Sequence, residues 1–230
     1  MSEGKTLRTI RSFVRREGRL TPGQEHALES LWPLYGIDES EDNTLLDLDS
    51  LFNRVAPTVL EIGFGNGSSL AEMAANQPDM NFIGVEVHRP GVGQLLKRIE
   101  EIQLTNLKVA CSDAVELLKH RIPDNSLERL QIYFPDPWHK KRHHKRRIIQ
   151  ADFVEFLSQK IKQNGHLHMA TDWQDYAEQM LEDVSSNTNF MNCSSDLTYI
   201  PRPDYRPLTK FEQRGHRLGH GVWDLLYKRL

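Results

Sequence analysis

Val59-Leu-Glu-Ile-Gly-Phe-Gly-Asn-Gly67 runs from apolar residues into glycines at every second position. A short apolar run over 58–62, stopped by glycines, reads as a buried strand entering a sharp turn. Glycine lets the backbone bend there and lets a ligand approach it closely. Residues 68–76 follow with a helical pattern. Strand, glycine turn and helix open a βαβ unit, and the alternation continues downstream. Strands are expected over 81–87, 107–111, 127–134, 165–171 and 222–227, the last closing the sheet. Helices are expected over 91–102, 114–120, 148–161 and 173–184. This order predicts an α/β fold with a mostly parallel, doubly wound sheet, right-handed crossovers and helices on both faces.

The chain has 230 residues, 38% hydrophobic and 27% charged, which suits one packed α/β domain. Net charge is −3, so any affinity for a polyanion must come from local patches. One patch is residues 139–147. The other is Lys5, Arg8, Arg11, Arg15, Arg16 and Arg19. Residues 1–50 read as a basic arm or short-helix extension, partly mobile, ahead of a main domain over 51–230. Cys111 and Cys193 form no CxxC, which favours reduced cytosolic thiols over a disulfide or zinc site. His166, His168, His216 and His220 lack the spacing of metal ligands on one helix face, so no metal is expected and these residues read as structural or solvent-facing. No run approaches the ~20 apolar residues of a membrane span, and no signal pattern opens the chain. A cytoplasmic protein, monomer or homodimer, is expected.

Within the frame, Gly63, Gly65 and Gly67 form a GxGxG turn with Glu61 two residues ahead of it. A pyrophosphate loop needs its third glycine one place later, where Ser68 stands. The pattern fits a phosphate-free nucleoside ligand such as S-adenosylmethionine, with Glu61 answering its cationic end. A tight structural turn is the plain alternative. Glu86 closes the second strand, about twenty residues on, where an acid can bond both ribose hydroxyls. Asp113 follows the third strand and can reach an adenine amino group, or cap the helix from Ala114, or both.

Phe134-Pro-Asp-Pro-Trp138 leads into His139-Lys-Lys-Arg-His-His-Lys-Arg-Arg147. Prolines on both sides hold Asp136 at a fixed angle. A carboxylate matches the paired N–H donors of guanine, although a turn Asp between prolines is common. Trp138 can stack on a base or pack in the core. Six Lys/Arg in nine residues repel one another, so a polyanionic partner gives them a reason; a solvated charge cluster is the alternative. Asp172, after the fifth strand, and Thr209-Lys210-Phe211-Glu212, in a Pro-rich tail, read by themselves as helix caps or loop polar groups.

Taken together, these stretches resemble the bacterial tRNA (guanine-N7)-methyltransferases over nearly all of 55–230. The resemblance rests on residues 61–67, 84–88, Phe134–Lys140, Arg146-Arg147, 170–173 and Thr209–Gly215. Arg11–Arg16 is similar to that family's basic N-terminal arm. It implies a class I S-adenosylmethionine-dependent fold, Rossmann-like with seven strands, and a guanine in the tRNA variable loop as target. It places Glu61, Gly63, Gly65, Gly67, Glu86, Asp113 and Asp136 at the cofactor and makes Asp136 catalytic. S-adenosylhomocysteine would be the product. Lys140, Asp172, Thr209, Lys210, Phe211 and Glu212 would hold substrate, and Arg142, His143, His144, Lys145, Arg146 and Arg147 would grip RNA. Trp138 or Phe211 would stack on an opened target base. Two rivals are a non-catalytic RNA-binding module and an NAD-dependent oxidoreductase.

Overall fold

The computed structural model describes residues 18–38, 44–209, 212 and 221–230. In chain order the elements are α1 (Pro22–Ser30), α2 (Trp32–Tyr35), β1 (Gly36–Ile37), α3 (Leu48–Phe52), β2 (Thr58–Ile62), α4 (Ser68–Asn76), β3 (Asn81–Val85), α5 (Arg89–Glu101), β4 (Leu107–Ala110), α6 (Ala114–His120) and β5 (Leu127–Tyr133). A 3-10 helix (Lys141–Arg146) precedes α7 (Ala151–Lys160), β6 (Ile161–Thr171), α8 (Gln174–Ser185), β7 (Phe190–Asn192) and β8 (Trp223–Arg229).

The strands form one sheet in the order β1-β4-β3-β2-β5-β6-β8-β7. All pairs are parallel except those of β8, which runs antiparallel to β6 and β7. The doubly wound expectation holds, with two corrections. The sheet has eight strands, not seven, because Gly36–Ile37 pairs with Val109–Ala110 at one edge. The last strand does not close the sheet: it lies inside, between β6 and β7. Both added strands, β1 and β7, are only two and three residues long, too short to show a period.

Every residue of β2 and β3 is buried, as expected of central parallel strands covered on both faces. On one face Leu60, Ile62, Leu130, Ile132 and Leu167 meet Leu118 of α6, Leu157 of α7 and Met180 of α8. On the other, Val59, Phe82 and Val109 meet Leu70 of α4, Leu96 of α5 and Ala27 of α1. Each fully buried leucine among them stabilises the fold by about 1.5–3 kcal/mol. Thr21 starts α1 with a capping box: its hydroxyl accepts from Gln24 N, and its own N–H donates to Gln24 Oε1. Helix α1 lies on α5 at Gly93, where a Cβ would stand 2.9 Å from Gln24 atoms. Residues 18–38 of the expected arm are thus joined to the sheet. Its arginines up to Arg16 lie outside the described residues.

The second face changes character at β5. Arg129, Gln131, Tyr133, His168 and Asp224 alternate there with the core residues of the first face, and all are buried. Met73 of α4 reaches Gln131 from the helix side, at 3.5 Å. Tyr205 and Arg206, in the irregular tail between β7 and β8, lie against Arg129 and Tyr133.

Candidate active site

Strand order reverses between β2 and β5, which opens a crevice at the carboxyl ends of the strands. A cavity of about 610 Å³ occupies it. Its wall is built from the ends of β2, β3 and β5, the turn after β4 and the Pro-Asp-Pro loop. Among the described residues the wall holds the carboxylates Glu86, Asp113 and Asp136, the apolar side chains of Ile62, Val85, Ile132 and Ile148, and no Lys or Arg.

Gly63 (φ +76°) and Gly65 (φ +60°) both adopt left-handed backbone, and the space where a Cβ would stand is open at each. Only Gly63 lines the cavity. Gly67 serves packing instead: it precedes α4, and a Cβ there would strike Leu95 at 2.6 Å.

Glu86 is held by backbone. Its Oε1 accepts from the N–H groups of Val87 (2.7 Å) and His88 (3.0 Å), and its Oε2 from Gly65 N (3.0 Å). The carboxylate thereby ties the glycine turn to the end of β3 while standing on the cavity wall. Asp113 takes the capping role its position allowed. It caps α6, accepting from Val115 N at 2.9 Å, and it lines the cavity. Beside it Ser112 was not anticipated: its buried hydroxyl has no hydrogen-bond partner among the described residues. No sequence signal marks a serine of this kind.

Glu61 lies deeper, within β2. It is buried, absent from the cavity wall, and accepts from Gln131 Nε2 at 2.7 Å. In β2 it points to the second face, away from the turn two residues later. Burial pushes its pKa up to about 7, against the opposing pull of the Gln131 bond and the Arg129 charge.

Asp136 is exposed, and its Oδ1 accepts from Trp138 N at 2.9 Å. Phe134 (φ +51°) and Trp138 (φ +46°) flank the frame in left-handed backbone, at a cost of order 1 kcal/mol each. Strain on both sides of one carboxylate belongs to a site that needs a fixed angle. Trp138 lines the cavity, with the Arg146 guanidinium 4.9 Å from its ring and His143 edge-on at 6.0 Å.

The basic run forms the 3-10 helix, with Lys140, Lys141, Arg142 and Lys145 exposed and His143, His144 and Arg146 half-buried. Arg147 departs from the expected RNA grip. Its side chain is 1% exposed, lies over the Tyr176 ring, and bonds Gln179, Asp175 and the carbonyl of Pro137. That bond holds the Pro-Asp-Pro loop against α8. The Arg147 bond in turn keeps Asp175 below the usual carboxylate range. Asp172 is exposed directly after β6, and Trp173 beside it meets His139 at 4.2 Å.

In the tail, Thr209 and Glu212 form a reciprocal capping box. Glu212 is buried and bonded to Arg206. Lys210 and Phe211, like His216 and His220, lie outside the described residues. His168 is fully buried in the polar layer of the second face; His166 is half-buried. Among the described residues no His, Cys, Asp or Glu group is arranged to hold a metal ion.

A family model described as "Putative methyltransferase" matches residues 55–225. A tRNA (guanine-N(7)-)-methyltransferase of Aeromonas hydrophila is 62% identical over 228 residues, 99% of this chain and 95% of that one. One from Vibrio cholerae is 60% identical with the same coverage. The chain belongs to the tRNA (guanine-N7)-methyltransferase family. Membership excludes the oxidoreductase reading and accounts for the long motifs at 134–140 and 209–215. The fold is also that of the 16S rRNA methyltransferase KamB, at TM-score 0.59 and 13% identity over 81% of this chain and 94% of that one. The aminoglycoside resistance methyltransferase NpmB1 aligns at TM-score 0.55 and 12% identity over 81% and 95%.

Proposed function

We propose that this protein transfers the methyl group of S-adenosylmethionine to N7 of a guanine in tRNA, the variable-loop guanine, in the cytoplasm. One observation carries the reading: among the described residues the cavity wall holds three carboxylates and no Lys or Arg, while an exposed basic run begins one residue beyond it. A phosphate-bearing cofactor would find no cation in such a wall. A cationic, phosphate-free nucleoside fits it, and the orphaned Ser112 hydroxyl is the kind of polar atom a ligand satisfies.

Glu86 keeps lone pairs for the ribose hydroxyls after its three backbone bonds. Asp113 is placed for the adenine amino group. When bound, S-adenosylmethionine supplies a methyl group on a positively charged sulfur. Guanine N7 carries a lone pair at neutral pH, so the chain need supply no general base, and positioning is its main contribution. Asp136 spends one oxygen on its turn and can accept from guanine N1–H or N2–H with the other. Its charge also favours the positive ring that N7 methylation creates. The exposed Lys140, Arg142 and Lys145 meet phosphates, and Asp172 completes the substrate side.

Asp136→Asn keeps the frame but removes the charge and turns an NH₂ toward guanine's own donors. Single-turnover methylation with saturating tRNA should fall by ~10²-fold or more, a loss of about 2.7 kcal/mol in transition-state stabilisation. Cofactor affinity should change far less. A near-normal single-turnover rate would reduce Asp136 to a turn residue.

A further inference from the structure

We propose that Arg206 is a positioning residue for methyl transfer: it clamps the turn closed by Thr209 and Glu212 onto the sheet beside the cofactor cavity. The proposal rests on the tRNA-methylating reading above. The Arg206 side chain is 1% exposed and uses its whole fork. Nη1 and Nη2 donate to the two Glu212 oxygens at 2.7 and 2.6 Å; Nε and Nη2 donate to the two Asp224 oxygens at 2.7 and 2.8 Å. One planar guanidinium thus joins the tail to β8 by two bidentate pairs, which a lysine has no geometry to make.

The clamp extends in both directions. Beyond Glu212, the Thr209 N–H donates to Oε2 at 3.0 Å, and Thr209 Oγ1 accepts from Glu212 N at 3.1 Å. Both Glu212 oxygens thus accept bonds from within the protein, and the residue ties Thr209 to Arg206. Beyond Asp224, Oδ1 also lies 2.9 Å from His168 Nε2, and His168 Nδ1 faces the hydroxyls of Tyr133 (2.7 Å) and Tyr205 (3.0 Å). Tyr133 lines the cavity, and the Arg206 guanidinium lies 5.6 Å from its ring and from that of Phe134, also on the wall. The tail turn is thereby fixed relative to the residues that precede Asp136. Buried charge networks contribute little net stability against apolar packing, but they hold one arrangement against others. Here the arrangement held is the substrate-side turn against the cofactor-side wall.

Steady-state kinetics with varied tRNA and saturating S-adenosylmethionine test this on Arg206→Met, Arg206→Lys, Glu212→Gln and the Met/Gln double variant. Cofactor affinity by calorimetry is measured on each. Arg206→Met and Glu212→Gln should each lower kcat/KM for tRNA by roughly 30-fold or more. The cofactor Kd should stay within about threefold. Arg206→Lys keeps the charge without the fork and should remain at least about tenfold impaired. The double variant should be no worse than the poorer single, because both break one clamp. If Arg206→Met fails to fold, Glu212→Gln decides, since it leaves the Arg206–Asp224 pair and the backbone bonds intact. Near-wild-type tRNA kinetics, losses that multiply in the double variant, or an equal loss of cofactor affinity would each overturn the clamp. A wild-type protein inactive on tRNA would instead sink the methyl-transfer reading, and the clamp with it.

Discussion

Glu86 fixes the glycine turn through Gly65 N, and in the proposed reading it offers its remaining lone pairs to a ribose. Glu86→Ala should therefore weaken S-adenosylmethionine binding by about 1.5–3 kcal/mol while the fold survives, since the site is at a strand end. Unchanged affinity by calorimetry would remove the residue from the site. Glu61 makes a different prediction. Its pKa, raised by burial to about 7 from 4.5, means the folded chain holds a proton that the unfolded chain has released. The stability this gives is full below pH 4.5 and is lost as pH rises through 7, by roughly 3 kcal/mol. Glu61→Gln is neutral throughout and should lack that decline, which urea unfolding of both proteins at pH 5 and pH 8 would reveal. Parallel pH dependence in the two would show that Glu61 ionises normally. Glu86 was legible in the sequence because spacing from the glycines places it at a strand end. Glu61 was legible as a neighbour of the turn but not as a buried group, because which face a strand residue takes depends on the sheet around it. Ser112 and Arg206 gave no signal at all: their significance lies in partners, or the lack of them, far away in sequence.

The basic run shows how an element divides a charge cluster that looks uniform in sequence. The 3-10 helix keeps Arg142 and Lys145 at the surface, while its end turns Arg147 under the Pro-Asp-Pro loop. Neutralising Arg142, Lys145 and Arg146 should weaken tRNA binding and lower the log–log salt slope by roughly 0.7–0.9 per lost phosphate contact, with cofactor affinity unaltered. Arg147→Met should lower the unfolding midpoint instead and add nothing to the slope change. A slope that ignores the three surface cations would make the run a solvated patch. Helices and central strands were readable because burial on both faces imposes long apolar runs; 58–62, 68–76 and 114–120 coincide with β2, α4 and α6. The edge strands were not, since β1 and β7 are defined by pairing to β4 and β8 rather than by any pattern of their own.

At the scale of the molecule, the sheet presents two unlike halves on its second face. On β4 and β3 it is apolar and covered by α1, α4 and α5; from Glu61 of β2 to Asp224 of β8 buried polar side chains enter it, with Tyr205 and Arg206 of the tail against Arg129 and Tyr133. The cofactor cavity opens where the halves meet, with Asp136 at its wall and the exposed cations just outside. The proposed reading puts cofactor recognition at the strand ends and substrate recognition at the loop and tail, with methyl transfer between them. The most direct test is to incubate the wild-type protein with unmodified bulk tRNA and methyl-labelled S-adenosylmethionine, then separate the nucleosides. The account predicts label in 7-methylguanosine alone. Label in any other nucleoside, or none despite measurable cofactor binding, would contradict it.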